Sequence, residues 1–186
     1  MKATRAASVL FTLGSMLLPL AGCSERSEPA GSANNAPMVI EPNLQVGEIH
    51  SGMTVQQVVA RLGEPQRRTA NSWEYTRLGL ALMADGDGIV QVVMCGDVTG
   101  INGPFTKAFT GRTKEGIGMY STRAEVLKAY GEPSEAKKLA GGLESFQYKP
   151  IGITFTLEGG KVHHMIVRLG GLQQPDRTVN LVPVAN

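Results

Sequence analysis

A chain that carries one segment twice must build two similar local structures and then pack both. Here Ile49–Pro65 aligns without gaps on Ile117–Pro133. Ile49 matches Ile117, Thr54 matches Thr122, Val58 matches Val126, and Gly63-Glu64-Pro65 matches Gly131-Glu132-Pro133, with Val59/Leu127 and Gln57/Glu125 as similar pairs. A second block sets Tyr75-Thr76-Arg77-Leu78-Gly79-Leu80 against Tyr148-Lys149-Pro150-Ile151-Gly152-Ile153, and the turn at Asp85–Gly88 corresponds to Glu158–Gly160. Three blocks in one order mark an internal repeat.

Each repeat opens with a capping box, in which Thr54 caps and Gln57 reaches back, or Thr122 caps and Glu125 reaches back. Val55, Val58, Val59 and Leu62 then form one apolar stripe of a short helix, and Val126, Leu127 and Tyr130 form the matching stripe. Gly63 and Gly131 are expected to stop the helices as left-handed caps, and Pro65 and Pro133 keep them from resuming. Helices this short need a sheet to dock on. Strands are predicted at Trp73–Arg77, Gly79–Ala84 and Ile89–Cys95, then at Ser145–Lys149, Gly152–Leu157 and Lys161–Leu169, the last two joined by the turn at Glu158-Gly159-Gly160. The expected fold class is α+β: two tandem repeats, each a short helix or helix pair packed on an antiparallel sheet of three to four strands. They would occupy 45–97 and 116–171, with a connecting segment at 98–115 and a C-terminal tail at 172–186.

Gly52-Met53-Thr54, Val58, Leu62-Gly63-Glu64-Pro65 and Trp73-Glu74-Tyr75 together resemble the start of the BamE (SmpA/OmlA) lipoprotein module. That resemblance implies a small helix-and-sheet domain of the outer-membrane assembly machinery. In tandem, the module resembles the β-lactamase-inhibitor-protein fold, which implies a sheet presented to a protein partner. The second repeat has Tyr120-Ser121-Thr122 where the first has Gly52-Met53-Thr54.

The N-terminus sets the compartment. Lys2 and Arg5 precede an apolar stretch from Ala6 to Leu20, the build of an export signal. The stretch is shorter than the roughly 20 apolar residues a spanning helix needs. Leu20-Ala21-Gly22-Cys23 resembles the bacterial lipobox, which implies a signal peptide at 1–22, a diacylglyceryl thioether on Cys23, cleavage before it and acylation, palmitate included, of the new terminus. Two or more chains hold stably in a bilayer, since each buried methylene contributes about 0.8 kcal/mol. Ser24, rather than an aspartate, favours the outer membrane over the inner one. Residues 23–44, rich in Ser, Glu, Pro, Ala, Gly and Asn, read as a lipidated cysteine and flexible tether with a reach of roughly 25 Å.

With Cys23 lipidated, Cys95 is the one thiol left, so no internal disulfide is expected and Cys95 reads as a buried structural residue. The net charge of +2 loses Lys2 and Arg5 with the signal, so no nucleic-acid partner is expected. His163 and His164 are adjacent on a predicted strand, where successive side chains face opposite ways, so neither they nor His50 indicate a metal site. Asp85-Gly86-Asp87-Gly88 reads as a hairpin turn and lacks the further ligands of a calcium loop. Glu64 and Glu132 read as solvated turn residues. No nucleophile elbow or phosphate loop is present, so the chain is expected to be no enzyme and to use no cofactor.

The predicted strands leave one face core-like and the other small and nearly uncharged, the character of a partner surface. Trp73, Tyr75, Phe146 and Tyr148 are its candidate partner-binding aromatics, with packing against the helices as their other reading. The functional expectation is a membrane-anchored protein-binding or scaffold lipoprotein of the cell envelope, in outer-membrane assembly or inhibition of a partner. The alternative is a structural or small-ligand-binding envelope lipoprotein.

Overall fold

The two capping boxes form as read. The computed structural model describes residues 38–97 and 105–170, within which α1 spans Val55–Leu62 and α2 spans Arg123–Tyr130. The Gln57 amide donates to Thr54 Oγ1 at 3.3 Å while the Thr54 amide donates to Gln57 Oε1 at 2.9 Å. The Glu125 and Thr122 amides repeat the exchange at 3.3 Å and 2.7 Å. A cap of this kind contributes about 1 kcal/mol.

The helix stops differ from expectation. Gly63 and Gly131 do adopt positive φ, 78° and 72°, but their ψ values of −173° and −158° are extended. They are therefore not left-handed helical caps. Each glycine amide donates to a carbonyl four residues back, Val59 and Leu127, and the chain leaves at once in extended form. Each glycine carbonyl in turn accepts a tyrosine hydroxyl from the sheet, Tyr75 to Gly63 at 3.1 Å and Tyr148 to Gly131 at 2.9 Å. One tyrosine per half thus ties the end of a helix to a strand.

The expected pair of separate helix-on-sheet repeats does not form. Strand accounts for 45% and helix for 15% of the described residues, so the fold is mostly β rather than α+β. The strands are β1 (Val39–Glu41), β2 (Gln45–Val46), β3 (Ile49–His50), β4 (Arg67–Arg68), β5 (Ser72–Tyr75), β6 (Leu80–Ala84), β7 (Val90–Gly96), β8 (Arg112–Thr113), β9 (Glu135–Lys138), β10 (Leu143–Tyr148), β11 (Ile153–Glu158) and β12 (Lys161–Arg168). One antiparallel sheet of eight runs β4-β5-β6-β7-β12-β11-β10-β9. Its two halves meet where β7 pairs with β12, Val93 opposite Val167 and Cys95 opposite Met165. The physical reason is that each half ends in an apolar strand whose outer edge needs partners for its amides and carbonyls. Pairing the two strands satisfies both edges.

A second, four-stranded sheet has the order β3-β2-β1-β8, with β1 parallel to β8 and the rest antiparallel. Its first strand starts at Val39, inside the stretch read as tether, and β8 lies inside the connecting segment. Phe105 and Phe109 of that segment are buried, and the Phe109 amide donates to Gly96 O at 2.9 Å. The signal peptide, Cys23 and the C-terminal tail at 172–186 lie outside the described residues.

A single core joins these layers. Tyr75, Leu80, Leu82, Val93, Cys95, Met165, Val167, Phe155, Phe146 and Tyr148 share one face of the large sheet by register. They cluster with Val55 and Val58 of α1, Val126 of α2, and Ile40, Val46 and Ile49 of the small sheet. Cys95 is fully buried there and burial pushes its thiol pKa up, which suits a packed residue. The outer edge strands carry Arg67 and Arg68 on one side and Glu135, Lys137 and Lys138 on the other, charges that discourage further strand pairing.

The two tyrosine hydroxyls act equivalently, so Tyr75→Phe and Tyr148→Phe should each lower the urea-unfolding free energy by about 1 kcal/mol, leaving a carbonyl without its partner. Loss from only one of them would show that the two halves are held differently.

Candidate functional site

The large sheet's other face is not covered by the helices. Register places Met83 of β6, Val92 and Met94 of β7, Ile166 of β12, and Thr154 and Thr156 of β11 on it. Met83, at 41% exposure, and the half-buried Val92, Met94 and Ile166 stand apart from the core cluster. They make an apolar strip across the joint between the halves.

At one end of this strip lies a polar cluster created by a β-bulge. Thr156 pairs with His164 and Leu157 with Val162, which leaves His163 as an extra residue in β12. The extra residue puts His163 beside the end of β7, while register keeps His164 on the strip's face, opposite Gly96 and Thr156. The His163 imidazole meets the carboxylate of Asp97, which is 0% exposed. His163 Nδ1 lies 2.6 Å from Asp97 Oδ2, and the Asp97 charge also acts on His164. Asp97 directly follows β7, and its amide donates to His163 O at 3.2 Å, extending the joint by one bond.

Tyr120 completes the cluster. Its ring meets the His163 ring edge-on, centroids 5.5 Å apart. Burial, with help from the Asp97 charge, pushes the phenol pKa up. Tyr120 sits at φ 64°, and its counterpart in the first half, Gly52, at φ 82°. A bulky residue at positive φ costs about 1 kcal/mol or more where glycine costs nothing. The second half bears that strain and in return places a ring against His163.

His164 is 3% exposed, and among the described residues neither of its ring nitrogens has a hydrogen-bond partner. It stands opposite Gly96, where a methyl group would come within 2.6 Å of the Phe105 ring. The missing side chain lets Phe105 close against the sheet beside the imidazole. Burial holds the His164 pKa below its usual value, against the opposing pull of Asp97, so the ring is neutral at neutral pH.

Of the four aromatics expected to bind a partner, Tyr75, Phe146 and Tyr148 are 1%, 2% and 3% exposed and belong to the core. They do not form an outer patch, because register turns them toward the helices. Trp73 shares their face but remains half-exposed, lining a groove beside α1. The Asp85–Gly88 segment is the expected hairpin turn, with Asp85 Oδ1 accepting the Asp87 and Ile89 amides. Glu64 is a solvated turn residue paired loosely with Arg68 at 3.6 Å. Among the described residues, no three His, Cys, Asp or Glu side chains are grouped to hold a metal. The sequence reading missed Asp97 and Tyr120; the one available signal was a tyrosine standing where the first repeat has glycine.

No protein-family model and no curated protein matches the chain. Among solved structures it is similar to a DUF4309 family protein, YjgB, from Bacillus subtilis subsp. subtilis str. 168. The identity is 13% over 69% of this chain and 88% of that one, with a TM-score of 0.46. A likeness at this level carries no argument about function.

The depressed His164 pKa gives a pH signature. The unfolded imidazole titrates near about 6.5 and the folded one lower, so in that window the unfolded chain binds more protons and stability falls as pH falls. Urea-unfolding free energy should decline from about pH 7 to about pH 5, and His164→Leu should make that decline shallower. An unchanged slope would contradict the burial of a neutral ring.

Proposed function

We propose that this chain is a lipid-anchored lipoprotein of the cell envelope, held in the outer membrane through Cys23, whose sheet face turned away from the two helices binds a protein partner. The observation that carries the reading is the apolar strip of Met83, Val92, Met94 and Ile166, which faces away from both helices and lies outside the core. Flat apolar surface in the middle of a sheet, bordered by polar side chains such as Gln147, Arg168 and Glu74, has the make-up of an interface centre with its rim.

The lipobox at Leu20–Cys23 supports the anchor, and the basic n-region with its short apolar stretch supports export. Among the described residues no helix is long and apolar enough to cross a membrane, so attachment in this reading rests on the lipid alone. The resemblance to BamE and β-lactamase-inhibitor-protein modules supports a sheet used for binding. The Asp97–His163–Tyr120 cluster then fixes one end of that surface, holding the β7–β12 joint closed where the partner docks.

Position-specific photocrosslinking tests the proposal. A benzophenone side chain at Met94 should join one envelope protein, and the same probe at the exposed Lys128 of α2 should not. Val92→Asp should reduce the Met94 adduct at least about tenfold, as for an interface-centre residue. Adducts to lipid only, or the same adduct from both positions, would contradict it. In the same cells, Cys23→Ala should move the protein from the membrane fraction to the soluble one.

A further inference from the structure

The two halves differ sharply at one equivalent place. In the second half the guanidinium of Arg123, the first residue of α2, lies over the Phe146 ring at 5.4 Å from its centroid and pairs with Glu144 at 3.5 Å. Phe146 is 2% exposed beneath it. In the first half the position of Phe146 is taken by Trp73, two residues before the hydroxyl-bonded tyrosine in each case, and the position of Arg123 is taken by Val55. Val55 and Arg123 are placed alike: their amides donate to Gly88 O and Gly160 O at 2.9 Å and 2.8 Å.

Valine leaves the ring uncovered. Trp73 remains half-exposed and, among the described residues, no cation is seated on it. Instead it lines a groove of about 360 Å³ with Val55, Gln56, Val59, Glu64 and Arg68. Indole is the strongest of the aromatic faces for a cation. Glu64, its side chain 75% exposed, stands at the lip and among the described residues is held by the 3.6 Å contact to Arg68.

We propose that the α1–β5 groove over Trp73 is a binding site for a cationic side chain, arginine or lysine, of another protein. The incoming cation takes the place that Arg123 occupies within the second half. Glu64 supplies the counter-charge once Arg68 turns away, so Arg68 is a built-in competitor for the site. In the second half the position across from the ring is Ala136 rather than an arginine, so Phe146 has no such competitor beside it. The inference stands on the internal comparison and does not depend on what the sheet face turned away from the helices binds.

Trp73 is the one tryptophan in the chain, so its fluorescence reports the groove directly. The full-length chain in detergent should show saturable quenching by acetyl-Gly-Arg-Gly-amide, and about fivefold weaker quenching by the citrulline peptide, equal in shape but uncharged. Val55→Arg should abolish the response by filling the groove from within, Glu64→Gln should weaken it, and Arg68→Ala should strengthen it. Should Val55→Arg fail to fold, the opposite signs expected of the last two decide the matter. Equal quenching by both peptides, or weaker binding by Arg68→Ala, would overturn the proposal.

Discussion

The pairing of β7 with β12 is the contact on which the rest of the structure depends. Each half ends in a strand rich in Val, Met, Ile and Cys, and alone each would expose a row of amides and carbonyls along an apolar edge. Joined from Val92↔Arg168 to Gly96↔His164, they turn two small sheets into one of eight strands and bring both sets of core residues into a single cluster. Among the described residues, the outer edges of the large sheet are the charged β4 and β9.

The joint also carries one of the two features that distinguish one half from the other. Asp97 extends it, His163 at the bulge in β12 meets that carboxylate, and Tyr120 sets its ring against His163 from a backbone position that glycine holds in the first half. On the helix side, Arg123 covers Phe146 while Val55 leaves Trp73 open. A shared framework of capped helix, tyrosine tie and hairpin has thus acquired a strained polar cluster in one copy and an open aromatic groove in the other.

How much of this the sequence disclosed follows from how local each interaction is. The capping boxes at Thr54 and Thr122 span four residues and read directly, as did the hairpin strands around Asp85–Gly88 and Glu158–Gly160. The joint does not read, because Cys95 and Met165 are 70 positions apart and nothing near either names the other. That is why two separate modules were expected where one sheet forms. The strands β1, β2, β3 and β8 are two or three residues long and carry no period. The aromatics Tyr75, Phe146 and Tyr148 were correctly placed on one face with Trp73, but composition alone does not say which face the helices cover. Nor does the sequence announce the bulge that leaves His163 as an extra residue in β12 beside Asp97.

The central claim is that the halves form one cooperative sheet. Native-state hydrogen exchange measures it most directly, by comparing amides at the joint, such as Val93 and Val167, with those in the middle of each half, such as Leu82 and Phe155. The account predicts one shared opening free energy for all four, close to that of global unfolding. Distinct opening energies for the two halves, with the joint amides exchanging first, would contradict it.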